Sequence, residues 1–494
     1  MSKELTLEEI QNFEGKYPKQ LWYLFLTEMW ERFSFYGMRG MLTVFMVTQL
    51  MFPEKDANLK YGAIQAFVYA FTFIGGLFAD KILGFKKSLF WGGSLMIIGS
   101  MILAFSPVDL FFIGISFTVI GTGFFKPNIS TMVGALYKEG DSRRDAGFGL
   151  FYTGINLGAF LGGILCVYIG KFHSWNIAFS LAGIVMTIGL ITFLFTQKTM
   201  GPIGDSPLKA LTKQKRNLRE YLVYAVSLAC IPFILIMVQN TEYTDLFMYI
   251  IGPCTLIYLG YEMTKLSAPE VKKLLAALVF IIFSIVFWAF FEQSGGSLSL
   301  FALYNLNDTL LGVNGVDPNV INNSANSVFV IAFSALLGLL WLWMAKRKIE
   351  PNTLIKFGLG FLFLALAFYI FYATKFFADE NGKTSLDVFT FAYLVITFGE
   401  LCLSPIGLSI MTKLAPKHLW GVMMGMWFLA SAYGQYVAGI LGAGMTSPDE
   451  NATAAVKLEA YTSGYEQLAL YALICGGVLI LISPFVRKLM QEVK

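Results

Sequence analysis

The chain has 494 residues, 56% of them hydrophobic and 14% charged, with a mean hydropathy of +0.64. Soluble domains carry about 25% charged residues, so this composition excludes a soluble globular protein and describes an all-α polytopic membrane protein. The net charge of +4 says little by itself, while five cysteines scattered singly and two histidines (His173 and His418) argue against a disulfide scaffold or a histidine-ligated metal.

Residues 1–20 are polar and mixed in charge, without the apolar core of a cleavable signal peptide. After them, apolar stretches long enough to cross roughly 30 Å of hydrocarbon recur along the chain. Spans are predicted at 21–47, 60–83, 88–106, 108–137, 145–170 and 174–196, then at 219–238 and 243–263. Six more follow at 275–305, 323–345, 354–374, 387–412, 418–443 and 465–487. Two polar linkers break this rhythm: "TQKTMGPIGDSPLKALTKQKRNLRE", which is basic and contains Pro and Gly, and the shorter "EMTKLSAPEVKK". They divide the chain into a six-helix bundle (1–200), linkers with an inserted two-helix hairpin (201–272), and a second six-helix bundle (273–494). With both termini in the cytoplasm, most bases fall on cytoplasmic segments: Lys81, Lys86 and Lys87; Lys138, Arg143 and Arg144; Lys209 to Arg219; Lys346 to Lys348. Lys55, Lys60, Lys171, Lys375, Lys383 and Lys457 fall outside. The bias follows the positive-inside rule, so the basic patches are topology signals, not nucleic-acid sites.

The two halves resemble each other weakly. "GTGFFKPN" and "TFGELCLSP" each run glycine, ionisable residue, proline, and "INLGAFLGG" and "YGQYVAGILGAG" both carry small residues at close-packing spacing. Carriers built from two related halves around a midplane site show such repeats.

The first span, "TEMWERFSFYGMRG", places Glu28, Glu31, Arg32 and Arg39 in a helix otherwise built for lipid. At 100° per residue these four, with Phe35 and Tyr36, fall within an arc of roughly 140°. Each charge facing lipid would cost about 2.5–3.5 kcal/mol, so the arc must face protein or water. Glu28 and Arg32, at (i, i+4), partly neutralise one another. The other intramembrane charges are Lys126, Glu292 and Glu400. Bases thus concentrate in the N-terminal half, and the isolated acids Glu292 and Glu400 in the C-terminal half. If the halves face each other, the ligand carries a carboxylate at one end and an ammonium at the other. Extended di- and tripeptides span roughly 7–11 Å and fit that description. The charges alone leave open a free amino acid, another organic anion, and a receptor that binds without transporting. A carboxylate held in the membrane without full compensation is a natural proton carrier.

Six motifs carry a family resemblance: "ExxERFxxYG" at Glu28 to Gly37, "GxGxxKPNxS" at Gly121 to Ser130, "FYxxINxGA" at Phe151 to Ala159, "FWAxFEQ" at 287–293, "GELCLSPxGLS" at Gly399 to Ser409, and "MGMWFL" at 424–429. In that order they resemble the proton-dependent oligopeptide transporters of the major facilitator superfamily, over nearly the whole chain. The resemblance implies a proton-coupled symporter importing di- and tripeptides by alternating access. It would have no enzymatic activity and no cofactor beyond the coupling proton. By the same resemblance, Arg32, Arg39 and Lys126 receive the peptide carboxylate, with Tyr36 and Tyr69 lining that end. Asn156, Asn326 and Glu400 hold the amino end and backbone, and Trp288, Trp427 and Ser431 line the pocket. Glu28, Glu31 and Glu292, with Arg32 and Lys126, serve proton coupling and gating. "GGLFADKILGFKK" resembles the superfamily's loop after the second span, which implies a cytoplasmic latch of Gly76, Asp80, Lys81, Lys86 and Lys87. Phe35 stands where the family often has a second tyrosine. The short loop between the ninth and tenth family spans argues for a bacterial inner-membrane protein, expected to act as a monomer among membrane lipids.

Overall fold

The computed structural model describes residues 5–403, 407–449 and 451–491. A short helix α1 (Leu7–Gln11) precedes α2 (Lys19–Thr48), α3 (Glu54–Phe78), α4 (Phe85–Phe105), α5 (Phe111–Ala135), α6 (Arg144–Phe172) and α7 (Trp175–Thr196). Between the linkers lie α8 (Lys213–Gln239) and α9 (Thr241–Met263). Then come α10 (Ala268–Phe291), α11 (Ser297–Asn305), α12 (Pro318–Lys346), α13 (Thr353–Ala373) and α14 (Leu386–Leu403). The last three are α15 (Gly407–Leu414), α16 (Trp420–Gly444) and α17 (Ala454–Met490). Every predicted span has its long helix. Among the described residues, 11 helical stretches are long and apolar enough to cross a membrane. The helices α2, α5 and α16 fall short of that measure because charges, glycines and polar side chains interrupt them.

Several boundaries differ from the sequence reading: α8, α10 and α12 start five to seven residues early, at Lys213, Ala268 and Pro318, and three further differences bear on the site or on charged residues. The seventh span is broken between α10 and α11 by a 3-10 turn, Glu292–Gly295. Helices α3 and α17 begin at Glu54 and Ala454, ahead of the predicted 60 and 465, so Lys60 and Lys457 sit on helices rather than in outer loops. The extra turns are polar but stay helical because their charges are satisfied. Lys457 Nζ lies 2.5 Å from Glu54 Oε1 and 3.8 Å from the centroid of the Tyr304 ring, and the Tyr461 hydroxyl donates to Glu54.

The residues group into two compact units, one of 1–41 and 67–240, the other of 42–66 and 241–494. In the first, glycines set the helix spacing. A methyl on Gly158 would stand 2.1 Å from the Met29 carbonyl oxygen, and one on Gly162 2.3 Å from that of Phe33, so α6 lies directly on α2. Gly123 and Gly121 bring α5 equally close to Phe71 of α3 and Gly92 of α4. Helix α8 is fixed to this unit by Trp91 Nε1 donating to Ser227 Oγ at 3.0 Å and by Lys87 pairing with Glu220 at 2.5 Å. The N-terminal segment, opened by a Thr6–Glu9 capping box, is held by Arg143, whose Nη1 donates to the carbonyls of Phe13 (3.2 Å) and Gly15 (3.0 Å).

In the second unit, Gly62 and Gly439 place α3 on α16, since a methyl on Gly62 would stand 2.7 Å from Gly439 Cα. A core of Phe301, Phe371, Phe389, Tyr393 and Tyr465 joins α11, α13, α14 and α17. Helix α9 is tied to α16 by the Tyr436 hydroxyl, which donates to Asp245 at 2.6 Å, and by Tyr433, which donates to the Met248 carbonyl.

The long basic linker is pinned, not loose. Lys86 Nζ lies 2.8 Å from Asp205 Oδ1, and Lys209 reaches the same carboxylate. Partial burial works against the Asp205 charge, yet hydrogen bonds from Lys209 and Lys86 outweigh it and hold the carboxyl below its usual range. The pin is therefore ionised throughout physiological pH and releases only as pH falls below the ordinary value of about 3.9. Asp205→Asn is expected to raise the rate of tryptic cleavage within residues 198–215 several-fold at neutral pH. Gly158→Val forces α6 off α2, and overpacking of this kind costs about 1–3 kcal/mol or more. It should lower the melting temperature of the detergent-solubilised protein by several degrees, while Thr153→Val, a swap of nearly equal volume at a half-buried position of the same helix, should not.

Candidate functional site

In the first unit the arc of α2 is buried as its pattern requires. Glu28 is 2% exposed, Glu31 0% and Arg32 1%. Arg32 Nε lies 2.9 Å from Glu28 Oε1 and 2.5 Å from Glu31 Oε2, so one guanidinium is shared by two carboxylates on its own helix. These contacts are close but poorly angled as hydrogen bonds. Arg32 Nη2 and Glu28 Oε2 find no hydrogen-bond partner among the described residues. Groups left in that condition cost several kcal/mol in a low-dielectric interior, so the cluster is poised to accept a further polar partner.

Helix α5 brings the next base. Gly121 and Gly123 draw α5 against α4 and α3, and two residues of chain beyond them place Lys126 Nζ 4.3 Å from the centroid of the Tyr69 ring of α3. Lys126 interacts electrostatically with Arg32, Tyr36, Glu31 and Glu28, and Arg32 with Tyr36 and Tyr69. Arg39 Cζ lies 5.6 Å from the centroid of the Tyr36 ring. Seven sequence-predicted residues (Glu28, Glu31, Arg32, Tyr36, Arg39, Tyr69 and Lys126) therefore form one coupled cluster. Asn156 is buried on α6, and its amide donates 3.0 Å to the Tyr152 carbonyl of its own helix.

In the second unit Asn326 of α12 donates from Nδ2 to Glu400 Oε2 of α14 at 2.9 Å and to Thr397 Oγ1 at 3.1 Å. Glu292, 5% exposed, stands at the start of the 3-10 turn. That turn is held by Thr43, whose hydroxyl donates to the Gly295 carbonyl, and by Tyr61, whose ring leaves room only for glycine at 295. Trp288 packs on Phe287 and Phe291 and lies against Gly434 of α16. Trp427 is buried, and Ser431 Oγ donates 3.2 Å to the Trp427 carbonyl. Ser404, Pro405 and Ile406 of the "GELCLSPIGLS" motif lie outside the described residues.

The expected latch is arranged differently. Gly76 stands against Pro127, and Asp80 feels Lys81. Lys86 and Lys87 turn instead to Asp205 of the linker and Glu220 of α8. Sequence reasoning missed both acids because they lie beyond the loop motif, in a stretch read as a semi-flexible connector. It also missed Glu54 with Lys457, and two buried asparagines, Asn319 and Asn322, that form a row with the predicted Asn326 on α12. The row had a signal: Asn319, Asn322 and Asn326 recur at i, i+3 and i+7 in an apolar helix.

With this geometry in hand, the chain was compared with known proteins. It is 34% identical over 499 residues to a peptide transporter of Yersinia enterocolitica, with 96% of each chain covered. It is 32% identical to a di-/tripeptide transporter of Lactococcus lactis, covering 97% of each, and 27% identical to dipeptide and tripeptide permease A of Escherichia coli, covering 97% of this chain and 94% of the permease. Among solved structures, a peptide transporter POT in complex with sulfate superposes with a TM-score of 0.83 at 30% identity, over 99% of this chain and 100% of that one. A mutant of a peptide transporter POT in complex with alafosfalin does so with a TM-score of 0.83 at 31% identity, over the same shares. The family model described as "POT family" matches residues 86–459. The fold, the charged cluster on α2 and these matches agree: the chain belongs to the POT family of secondary transporters and is not an enzyme.

Proposed function

We propose that the chain carries di- and tripeptides into the cell together with protons, by alternating access. The observation that carries this reading is the single guanidinium of Arg32 shared by Glu28 and Glu31, with Nη2 lacking a hydrogen-bond partner among the described residues. Arginine presents a planar fork that matches a carboxylate. Arg32, Arg39 and Lys126 receive the peptide carboxylate, with the Tyr36 and Tyr69 rings beside them. Asn156, Asn326 and Glu400 recognise the amino end and backbone, and Trp288, Trp427 and Ser431 shape the space for side chains.

Charge counting then couples the two cargoes. Around the two glutamates, a peptide carboxylate makes three carboxylates for the two bases that act on them, Arg32 and Lys126, while Arg39 stands beside the Tyr36 ring. A proton on Glu28 or Glu31 restores the balance, so peptide and proton favour each other's binding at this cluster. Glu292 supplies a second protonatable carboxylate in the other unit. A proton moving down 100 mV and one pH unit releases about 2.3 plus 1.4 kcal/mol, enough for several-hundred-fold accumulation of a neutral solute. The chain works as a monomer in a bacterial inner membrane, with both termini cytoplasmic, and proton movement requires no other cofactor.

Arg32→Ala removes charge-assisted hydrogen bonds, each about 1.5–3 kcal/mol. Labelled dialanine uptake into proteoliposomes should fall at least tenfold, and retained uptake with unchanged affinity would reject the assigned pocket. Glu292→Gln should depress proton-driven accumulation more than exchange of dialanine for dialanine. Equal losses in the two assays would assign Glu292 a structural role.

A further inference from the structure

A chain of hydrogen bonds in the second unit leads from the Glu292 turn to Glu400. Asn322 Nδ2 of α12 donates 2.8 Å to the carbonyl of Ser294, two residues after Glu292 in the turn. The Tyr393 hydroxyl of α14 donates 2.6 Å to Asn322 Oδ1. One helical turn on, Thr397 Oγ1 donates 2.7 Å to the Tyr393 carbonyl and accepts from Asn326 Nδ2 at 3.1 Å, and the same amide donates to Glu400. Tyr393, Thr397 and Glu400 recur at i, i+4 and i+7 on α14, facing Asn322 and Asn326 on α12. Asn322 and Tyr393 are each 2% exposed and Thr397 1%.

We propose that Asn322 and Tyr393 are positioning residues that couple the Glu292 turn to the Glu400 carboxylate, so that proton release and peptide release occur together. The proposal rests on the roles given above to Glu292 and Glu400. The turn is a break between two helices, so its backbone lacks the continuous hydrogen-bond ladder of the helical parts of that span. Asn322 bonds to that backbone directly and cannot follow it without moving Tyr393. Tyr393 lies on the rigid helix that carries Glu400, and the Asn326 amide on the facing helix reads Thr397 and Glu400 at once. A displacement of the turn on gaining or losing a proton at Glu292 is thereby passed to the group that holds the peptide amine. The same contacts also glue helices together, as interhelical polar pairs in membranes do. The test must separate gluing from coupling.

Tyr393→Phe deletes one hydroxyl and keeps the ring in its aromatic core. Wild type, Tyr393→Phe, Asn322→Ala and the double variant are reconstituted, and labelled dialanine is followed in two assays. One is exchange without a proton gradient, and the other is accumulation under an inward gradient. Coupling predicts exchange within about twofold of wild type, accumulation reduced about five- to tenfold in each single variant, and a double variant no worse than the singles. Equal loss in both assays together with a lowered melting temperature would overturn the proposal in favour of a purely structural pair, and so would wild-type behaviour in both. Failure of the wild type itself to accumulate dialanine under the gradient would reject the transport reading, and this proposal with it.

Discussion

The cost of holding charge away from water governs this protein. Arg32 is surrounded by protein on a helix meant for lipid, and it stays there because Glu28 and Glu31 of the same helix share it. Ion pairs withdrawn from water rarely stabilise a fold more than apolar side chains of the same volume would. A cluster with two carboxylates for one guanidinium is poorer still, since by itself it keeps a net negative charge and needs the second base, Lys126, to cancel it. Such an arrangement makes sense as a site that mobile species enter together, so that the balance is kept. A carboxylate-bearing ligand and a proton are a pair that can enter it without leaving residual charge.

The packing around the cluster is what makes the pairing specific. Gly158 and Gly162 bring α6 against the backbone of α2, and Gly121 and Gly123 bring α5 against α4 and α3. Any larger residue there would separate helices whose charged side chains must meet within hydrogen-bond or Coulomb reach. The second unit uses the same device around a different chemistry. Gly295 admits Tyr61 beside the turn that carries Glu292, and Gly434 seats Trp288 on α16. Small residues spend their lack of side chain on placement, while polar residues at helical spacing carry the interactions.

Much of this was legible in the sequence. Hydropathy located the fourteen helices, because in hydrocarbon a backbone must satisfy its own hydrogen bonds. The arc on the first span placed Glu28, Arg32 and Phe35 on a buried face, because charge cannot face lipid. Helix ends were less legible. The outer turns of α3 and α17 are polar, and only the pairing of Glu54 with Lys457, some 400 residues apart in sequence, explains why they remain helical. The partners of Lys86 and Lys87 were hidden for the same reason, since Asp205 lies in a connector and Glu220 in the polar first turns of α8, and both are ordered by tertiary contact. The Asn322–Tyr393 pair was half visible: the asparagine spacing was present, but its partner on α14 reads as an ordinary apolar-face tyrosine.

The central claim is that Arg32, Glu28 and Glu31 join peptide binding to proton uptake. Its most direct test is peptide-driven acidification, in proteoliposomes carrying an internal pH indicator and no initial pH gradient. External dialanine should acidify the lumen with wild-type protein, while the Glu28→Gln, Glu31→Gln variant should still exchange dialanine without acidification. Dialanine entry with no pH change in the wild type, or undiminished acidification in the double variant, would contradict the account.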